Sequence, residues 1–163
     1  MKITTEVLKK ELNYNPQTGK FTWIKIKQGV VVGAQAGSIS YYGYTTICVN
    51  GKNYQASRLA WLYVYGKWPE GQIDHINHNK TDNRIINLRD TTYSENQQNQ
   101  VKAHLGGKYK LPLGVTFDKQ SGKYKVRLNL KGKVLLNALF ETSELASTAY
   151  LKAKRKHHTT CTI

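Results

Sequence analysis

The chain has 163 residues, with 25 Lys and Arg against 10 Asp and Glu, a formal net charge of +15 and a pI near 9.8. That balance makes phosphate-rich partners the first expectation ahead of acidic proteins, with solubility as the plain alternative, and 39% hydrophobic content supports one ordinary domain or two small ones. Only Cys48 and Cys161 are present, which excludes a disulfide framework and a zinc knuckle, and no apolar run is long enough to cross a bilayer.

The N-terminal MKITTEVLKKELNYN lacks the apolar core of a signal peptide, so the expectation is a soluble protein of the cytoplasm with no membrane partner. Thr5 can cap a short helix to about Leu12 that buries Val7, Leu8 and Leu12. NPQTG is then a turn before a strand from Phe21 to Ile26. Asn50-Gly51 between two strand-like runs is the signature of a tight hairpin. SRLAWLYVYG follows as a helix with Leu59, Trp61, Leu62 and Val64 as its buried face and Gly66 as its end.

After Pro69 the periodicity fades. GQIDHINHNKTDNRIINLR, from Gly71 to Arg89, crowds short polar side chains together, and Thr92-Tyr93-Ser94-Glu95 is a capping box that starts a polar helix with Asn96 and Asn99 on one side. HLGGKYKLP, residues 104–112, has the composition of a linker.

The C-terminal part has the clearest alternation. In KYKVRLNL, Tyr124, Val126, Leu128 and Leu130 share one face while Lys123, Lys125, Arg127 and Asn129 share the other. GVTFDK and KVLLNALF flank it across turns at Ser121-Gly122 and Gly132, which predicts a three-stranded meander. Thr142 then caps a helix with Leu145, Ala146, Ala149, Tyr150 and Ala153 as its apolar stripe. The charge is concentrated here: net +5 over residues 1–100 (12 Lys/Arg, 7 Asp/Glu) and net +10 over residues 101–163 (13 and 3).

Phosphodiester hydrolysis needs a base for water, charge neutralisation at phosphorus and help for the leaving oxygen. A His of near-neutral pKa can supply the first and a divalent cation the others. Asp74-His75 places both functions side by side. Neighbouring strand residues face oppositely, so a bend is needed to bring the two to one site. The plain alternative is a turn His satisfied by its neighbouring carboxylate.

IDHINHNKTDNRIINLR followed by TTYSENQQN resembles the HNH nuclease motif in its His-Asn-Asn form, as in phage and intron-encoded homing endonucleases. The resemblance spans roughly residues 43–99 and implies a ββα-metal module. By it, His75 is the general base, Asp74 a metal ligand, Asn87 the residue that braces the loop and orients the His, and Asn96 the second metal ligand. The spacings are twelve residues from His75 to Asn87 and nine from Asn87 to Asn96. YQASRLAWLYVYGKWP resembles the same proteins, with Ser57 where they often carry His. Residues 113–158 resemble the DNA-binding domain of the plant ethylene-response factors, in which a three-stranded sheet backed by a helix enters the major groove. Tyr124 stands in place of the usual Trp, and the Gly before the last strand's Phe is missing from LNALF.

The expected architecture is therefore α+β, with an HNH module over residues 1–103, a linker over 104–112 and a sheet-plus-helix DNA-binding domain over 113–163. The expected function is a homing-type DNA endonuclease using one Mg²⁺ or Mn²⁺ per active site, no small-molecule cofactor, and double-stranded DNA as partner, acting as a monomer. Lys123, Lys125 and Arg127 are the expected DNA contacts of the sheet. Arg84 and Arg89 are either phosphate contacts or loop braces, and His78 is a solvent or phosphate contact. A DNA-binding regulator with an inactive HNH centre is the alternative of another class. A small RNA-associated basic protein is weaker, because no aromatic ladder interleaves the cations.

Overall fold

A computed structural model describes residues 2–26, 29–98 and 111–157. They form an α+β protein of small antiparallel sheets and helices, divided into two compact units, Met1–Tyr93 and Ser94–Ile163. No helix among the described residues is long and apolar enough to cross a membrane.

In the first unit, α1 (Thr5–Glu11) is capped by Thr4 rather than Thr5: Thr4 Oγ1 accepts from the Val7 amide at 3.4 Å. Thr5 lies one position inside, and its hydroxyl donates to the Gly66 carbonyl at 3.2 Å. The chain then passes directly into β1 (Leu12–Asn15), paired with β2 (Lys20–Trp23) so that Tyr14 lies opposite Phe21. The second strand is shorter than the expected run to Ile26 because its backbone changes partner. Trp23 exchanges bonds with Gly33 and Ala34 at 2.8 and 3.0 Å, and the Ile24 amide donates back to Glu11.

A sheet of β3 (Ser38–Ile39), β4 (Thr45–Val49) and β5 (Lys52–Gln55) follows, its central hairpin turning at Asn50 and Gly51 with φ of 50° and 73°. Those two positive values are what a two-residue type I′ turn demands and what Asn-Gly tolerates. Then α2 (Ala56–Tyr65) ends at Gly66, as expected. Leu59 and Leu62 bury against Leu8, Leu12, Phe21 and Ile47, and Ser57 is buried with them. Val64 is 44% exposed, contrary to expectation, since five residues past Leu59 lies about 140° round the helix.

The unit closes with β6 (Gln72–His75) antiparallel to β7 (Leu88–Thr91), joined by a loop whose last turn is a 3₁₀ helix, Ile85–Asn87. From Thr92 the chain enters α3 (Tyr93–Gln98), the start that the capping box marks. Asn99, Cys161 and most of the expected linker lie outside the described residues.

The second unit contains β8 (Val115–Asp118), β9 (Lys123–Leu130) and β10 (Lys133–Phe140), in the sheet order β10-β9-β8, followed by α4 (Ser143–His157). Val126 and Leu128 are buried, and Lys125 and Arg127 are exposed, so the alternation of β9 splits core from cationic face. Thr142 Oγ1 accepts from the Leu145 amide at 3.2 Å, capping α4. Ala146 is fully buried with Val115 and Val126, and Leu111 and Tyr150 pack on that cluster. Leu145 is 55% exposed and does not belong to the buried stripe.

Candidate active site

The polar stretch after β6 is held in one conformation by its own side chains. Asn87 bridges the loop: its Oδ1 accepts from the Asn77 amide at 3.0 Å, and its Nδ2 donates to Asn77 Oδ1 and to the Asp82 carbonyl, both at 2.9 Å. Its carbonyl also receives the Ile76 amide at 2.9 Å, extending the β6–β7 ladder by one bond. These bonds tie the residue after His75 to the far end of the loop.

Asp82 anchors the middle of the loop. Its carboxylate accepts from Asn77 Nδ2 at 2.7 Å and receives the fork of Arg84, Nε at 2.8 Å and an Nη at 2.6 Å. The Arg84 bonds are the chief reason its pKa is held down at about 2. Of the two roles open to Arg84, these contacts are those of a brace.

His75 ends β6 and is buried together with Asp74. Its Nε2 lies 3.2 Å from Oδ1 of Asn83, a residue only 3% exposed that sequence reasoning did not single out. Asn83 Nδ2 donates to the Thr81 carbonyl at 3.2 Å, which sets the amide with its oxygen toward the ring. An oxygen can only accept, so the neutral imidazole carries its proton on Nε2 and leaves the Nδ1 lone pair as the basic site. Burial pushes the His75 pKa below its ordinary value, outweighing the Asn83 bond and the charges of Asp74 and Asp82, so the ring is neutral near pH 7.

Asn83 is itself gripped from the β1–β2 hairpin. The Tyr14 hydroxyl donates to its carbonyl at 2.7 Å, and burial pushes that phenol's pKa up to about 12, so it remains a donor. Gly19 at φ 70° lies flat against the Asn83–Arg84 peptide, where a Cβ would collide with backbone. The signal for Asn83 in the sequence is only its place between Asp82 and Arg84.

Asp74 stands opposite Arg89 in the β6–β7 register, and its Oδ2 accepts from Arg89 Nε at 2.9 Å and from an Nη at 2.7 Å. The pair is mostly shielded, at 10% and 25% side-chain exposure. Arg89, like Arg84, is therefore bound to a carboxylate. His78 takes a left-handed backbone with φ 61° at the start of the loop.

Asn96 lies within α3, in the second unit. Lys123, Lys125 and Arg127 lie on β9, where Lys123 Nζ pairs with Glu141 at 2.5 Å and Arg127 Nε donates to Asn129 at 3.4 Å. Among the described residues no cluster of three or more His, Cys, Asp or Glu side chains gathers to hold a metal. The donors that the sequence nominates are a carboxylate and an amide oxygen. These hard oxygens fit Mg²⁺ or Mn²⁺, which keep waters and complete their shell with substrate phosphate.

Residues 54–98 match a family model described as HNH endonuclease. The match runs from β5 through α2 and the β6–loop–β7 hairpin to the end of α3, so this part of the chain is similar to that family. Neither the comparison with curated proteins nor that with solved structures gives a match.

Proposed function

We propose that the chain is a divalent-metal-dependent DNA endonuclease of homing type, with the HNH module in residues 1–103 and a DNA-binding domain in residues 113–163. The observation that carries this reading is the buried His75 at the end of the strand that also carries Asp74, with its Nε2 held 3.2 Å from Asn83 Oδ1. In the reaction, Nδ1 takes a proton from water, the water oxygen bonds to phosphorus, and the bond from phosphorus to the 3′ oxygen breaks in line. Asn83 holds the ring and its tautomer, acting as a positioning residue. Asn87 keeps the loop closed so that His75 stays at the strand's end.

Asp74 is the proposed carboxylate ligand and Asn96 the proposed amide ligand of one Mg²⁺ or Mn²⁺. When bound, such a cation supplies charge neutralisation at the scissile phosphate and at the departing oxygen. Arg89 keeps the Asp74 side chain in a fixed rotamer by its two bonds. Lys125 and Arg127 supply the electrostatic anchor through phosphate contacts.

The test is incubation of purified protein, and of His75→Ala, with supercoiled plasmid carrying the DNA that flanks its own coding sequence, in Mg²⁺ or Mn²⁺ and then in EDTA. Open circles or linear product that require both metal and His75 support the reading. Supercoiled DNA that is shifted on a gel but never cut would favour a DNA-binding regulator instead.

A further inference from the structure

Ile39, Tyr41 and Tyr42 form an exposed apolar tip on the β3–β4 hairpin, with Tyr41 97% and Tyr42 74% exposed. Scattered surface aromatics are ordinary, but this pair is organised. The two rings meet edge to face at 5.4 Å. Their turn is stiffened by backbone bonds from Ser40 to Tyr44 and from Gly43 to Ser40, both 2.8 Å, and by Ser40 Oγ accepting from the Tyr44 amide at 3.3 Å.

The tip is also fastened to the loop that follows His75. Lys80 Nζ donates to the Tyr42 carbonyl at 3.1 Å and lies 4.6 Å from the centre of the Tyr44 ring. Tyr44 in turn places its ring 6.1 Å from the His75 imidazole. A chain of contacts thus fixes the exposed tyrosines relative to the base, with one cation between.

The geometry points to Tyr41 and Tyr42 as a stacking wedge that enters duplex DNA and unstacks bases beside the phosphate presented to His75. The inference rests on the endonuclease reading for its choice of occupant. Lys80 stands between the tyrosines and His75, and a polyanion is the partner that a chain of net charge +15 attracts. Aromatic faces stack on any base, so the wedge needs no sequence-specific hydrogen bonds, and unstacking a step kinks the duplex and changes how the adjoining phosphate faces the protein.

The variant Tyr41→Ala/Tyr42→Ala removes only exposed rings, and an unchanged melting temperature checks its fold. On the plasmid carrying the flanking DNA, its nicking rate falls roughly 5- to 100-fold, while hydrolysis of a p-nitrophenyl phosphodiester, which has no stack to open, stays within about twofold of the parent. Tyr41→Phe/Tyr42→Phe retains nicking, because the ring and not the hydroxyl does the work. Nicking by the alanine variant at the parent's rate overturns the wedge. An independent readout needs no turnover: permanganate reactivity of thymines in the insert bound to His75→Ala protein. Hyperreactive thymines that vanish when Tyr41 and Tyr42 are also replaced support the wedge even if the parent never cuts, in which case only the nuclease reading falls. The same footprint with and without the tyrosines overturns the wedge whatever the parent's activity.

Discussion

The Asn83 amide points its oxygen at His75 Nε2 because its nitrogen is already committed to the Thr81 carbonyl. Asn83→Ala therefore removes the acceptor that selects the Nε2–H tautomer. The expected result is a turnover rate lower by about 10- to 100-fold with plasmid affinity unchanged, the scale on which partners of functional His residues act. Asn83→Asp keeps an acceptor oxygen and recovers part of the rate. Imidazole ¹⁵N shifts decide the cause: the parent shows Nε2–H, and the alanine variant shows a tautomer mixture. An unaltered tautomer in Asn83→Ala would remove the positioning role.

The hold on Asn83 from the first hairpin can be cut at two independent points. Tyr14→Phe leaves a buried carbonyl without its hydroxyl donor and costs about 1–3 kcal/mol. Gly19→Ala meets both a positive φ and a backbone collision at the Asn83–Arg84 peptide, so it costs about 2 kcal/mol or more. Denaturant melts measure both, and both variants also lose turnover if the hairpin's grip on Asn83 is transmitted to His75. Full activity in a destabilised Tyr14→Phe protein would confine the bond to stability.

Whether a feature was legible in the sequence depended on how local its physics is. Asn50-Gly51, Gly66 and the alternation of β9 were readable because turn dihedrals and strand period are properties of a few adjacent residues. The cap of α1 falls at Thr4 and not at the expected Thr5, because the two are the same residue type and only geometry separates a hydroxyl that caps from one that reaches Gly66. The strand expected to Ile26 failed for a tertiary reason, since its continuation is taken over by residues 33 and 34. Asp74, His75 and Asn87 stood out as a pattern, and the structure places Asp74 and His75 at the end of one strand and ties Asn87 to the adjoining loop. Asn83 did not stand out, because its importance comes from Tyr14, 69 residues away, and from a glycine on the same hairpin.

The Asp74–Arg89 pair predicts an antagonism between folding in the absence of metal and metal affinity. Arg89→Ala leaves a largely buried carboxylate without two charged hydrogen bonds, a loss of about 1–3 kcal/mol in EDTA. Mn²⁺ raises the melting temperature of this variant more than that of the parent, because the cation meets a charge no longer balanced by a guanidinium. Thermal melts over a Mn²⁺ titration check this. Equal shifts in the two proteins would mean that Asp74 is not the residue the cation uses.

Asp82 gives the loop a defined acid limit. Its folded pKa of about 2 is below the ordinary carboxylate value, so it contributes stability above pH 4 that is lost as pH falls toward 2. Protonation weakens its bonds to Arg84 and Asn77 together. Melting temperatures from pH 5 to pH 2 should therefore converge for the parent and Asp82→Asn, with the parent ahead only at the upper end. A constant gap across that window would show that the ion pair adds nothing beyond hydrogen bonding.

On the second unit the three cations of β9 are not equivalent. Lys125 and Arg127 lie on the exposed face, whereas Lys123 is paired with Glu141 at 2.5 Å, so its charge is already balanced. Each phosphate contact contributes close to one unit to the slope of log affinity against log salt, independent of base sequence. Lys125→Ala and Arg127→Ala should each reduce that slope by about 1 in fluorescence anisotropy with a labelled duplex, and Lys123→Ala by much less. All three leave hydrolysis of a p-nitrophenyl phosphodiester unchanged, because none belongs to the His75 cluster. Equal slope losses at all three positions would mean that the Lys123–Glu141 pair opens on DNA, since a lysine must be released from its carboxylate before it can displace a counterion.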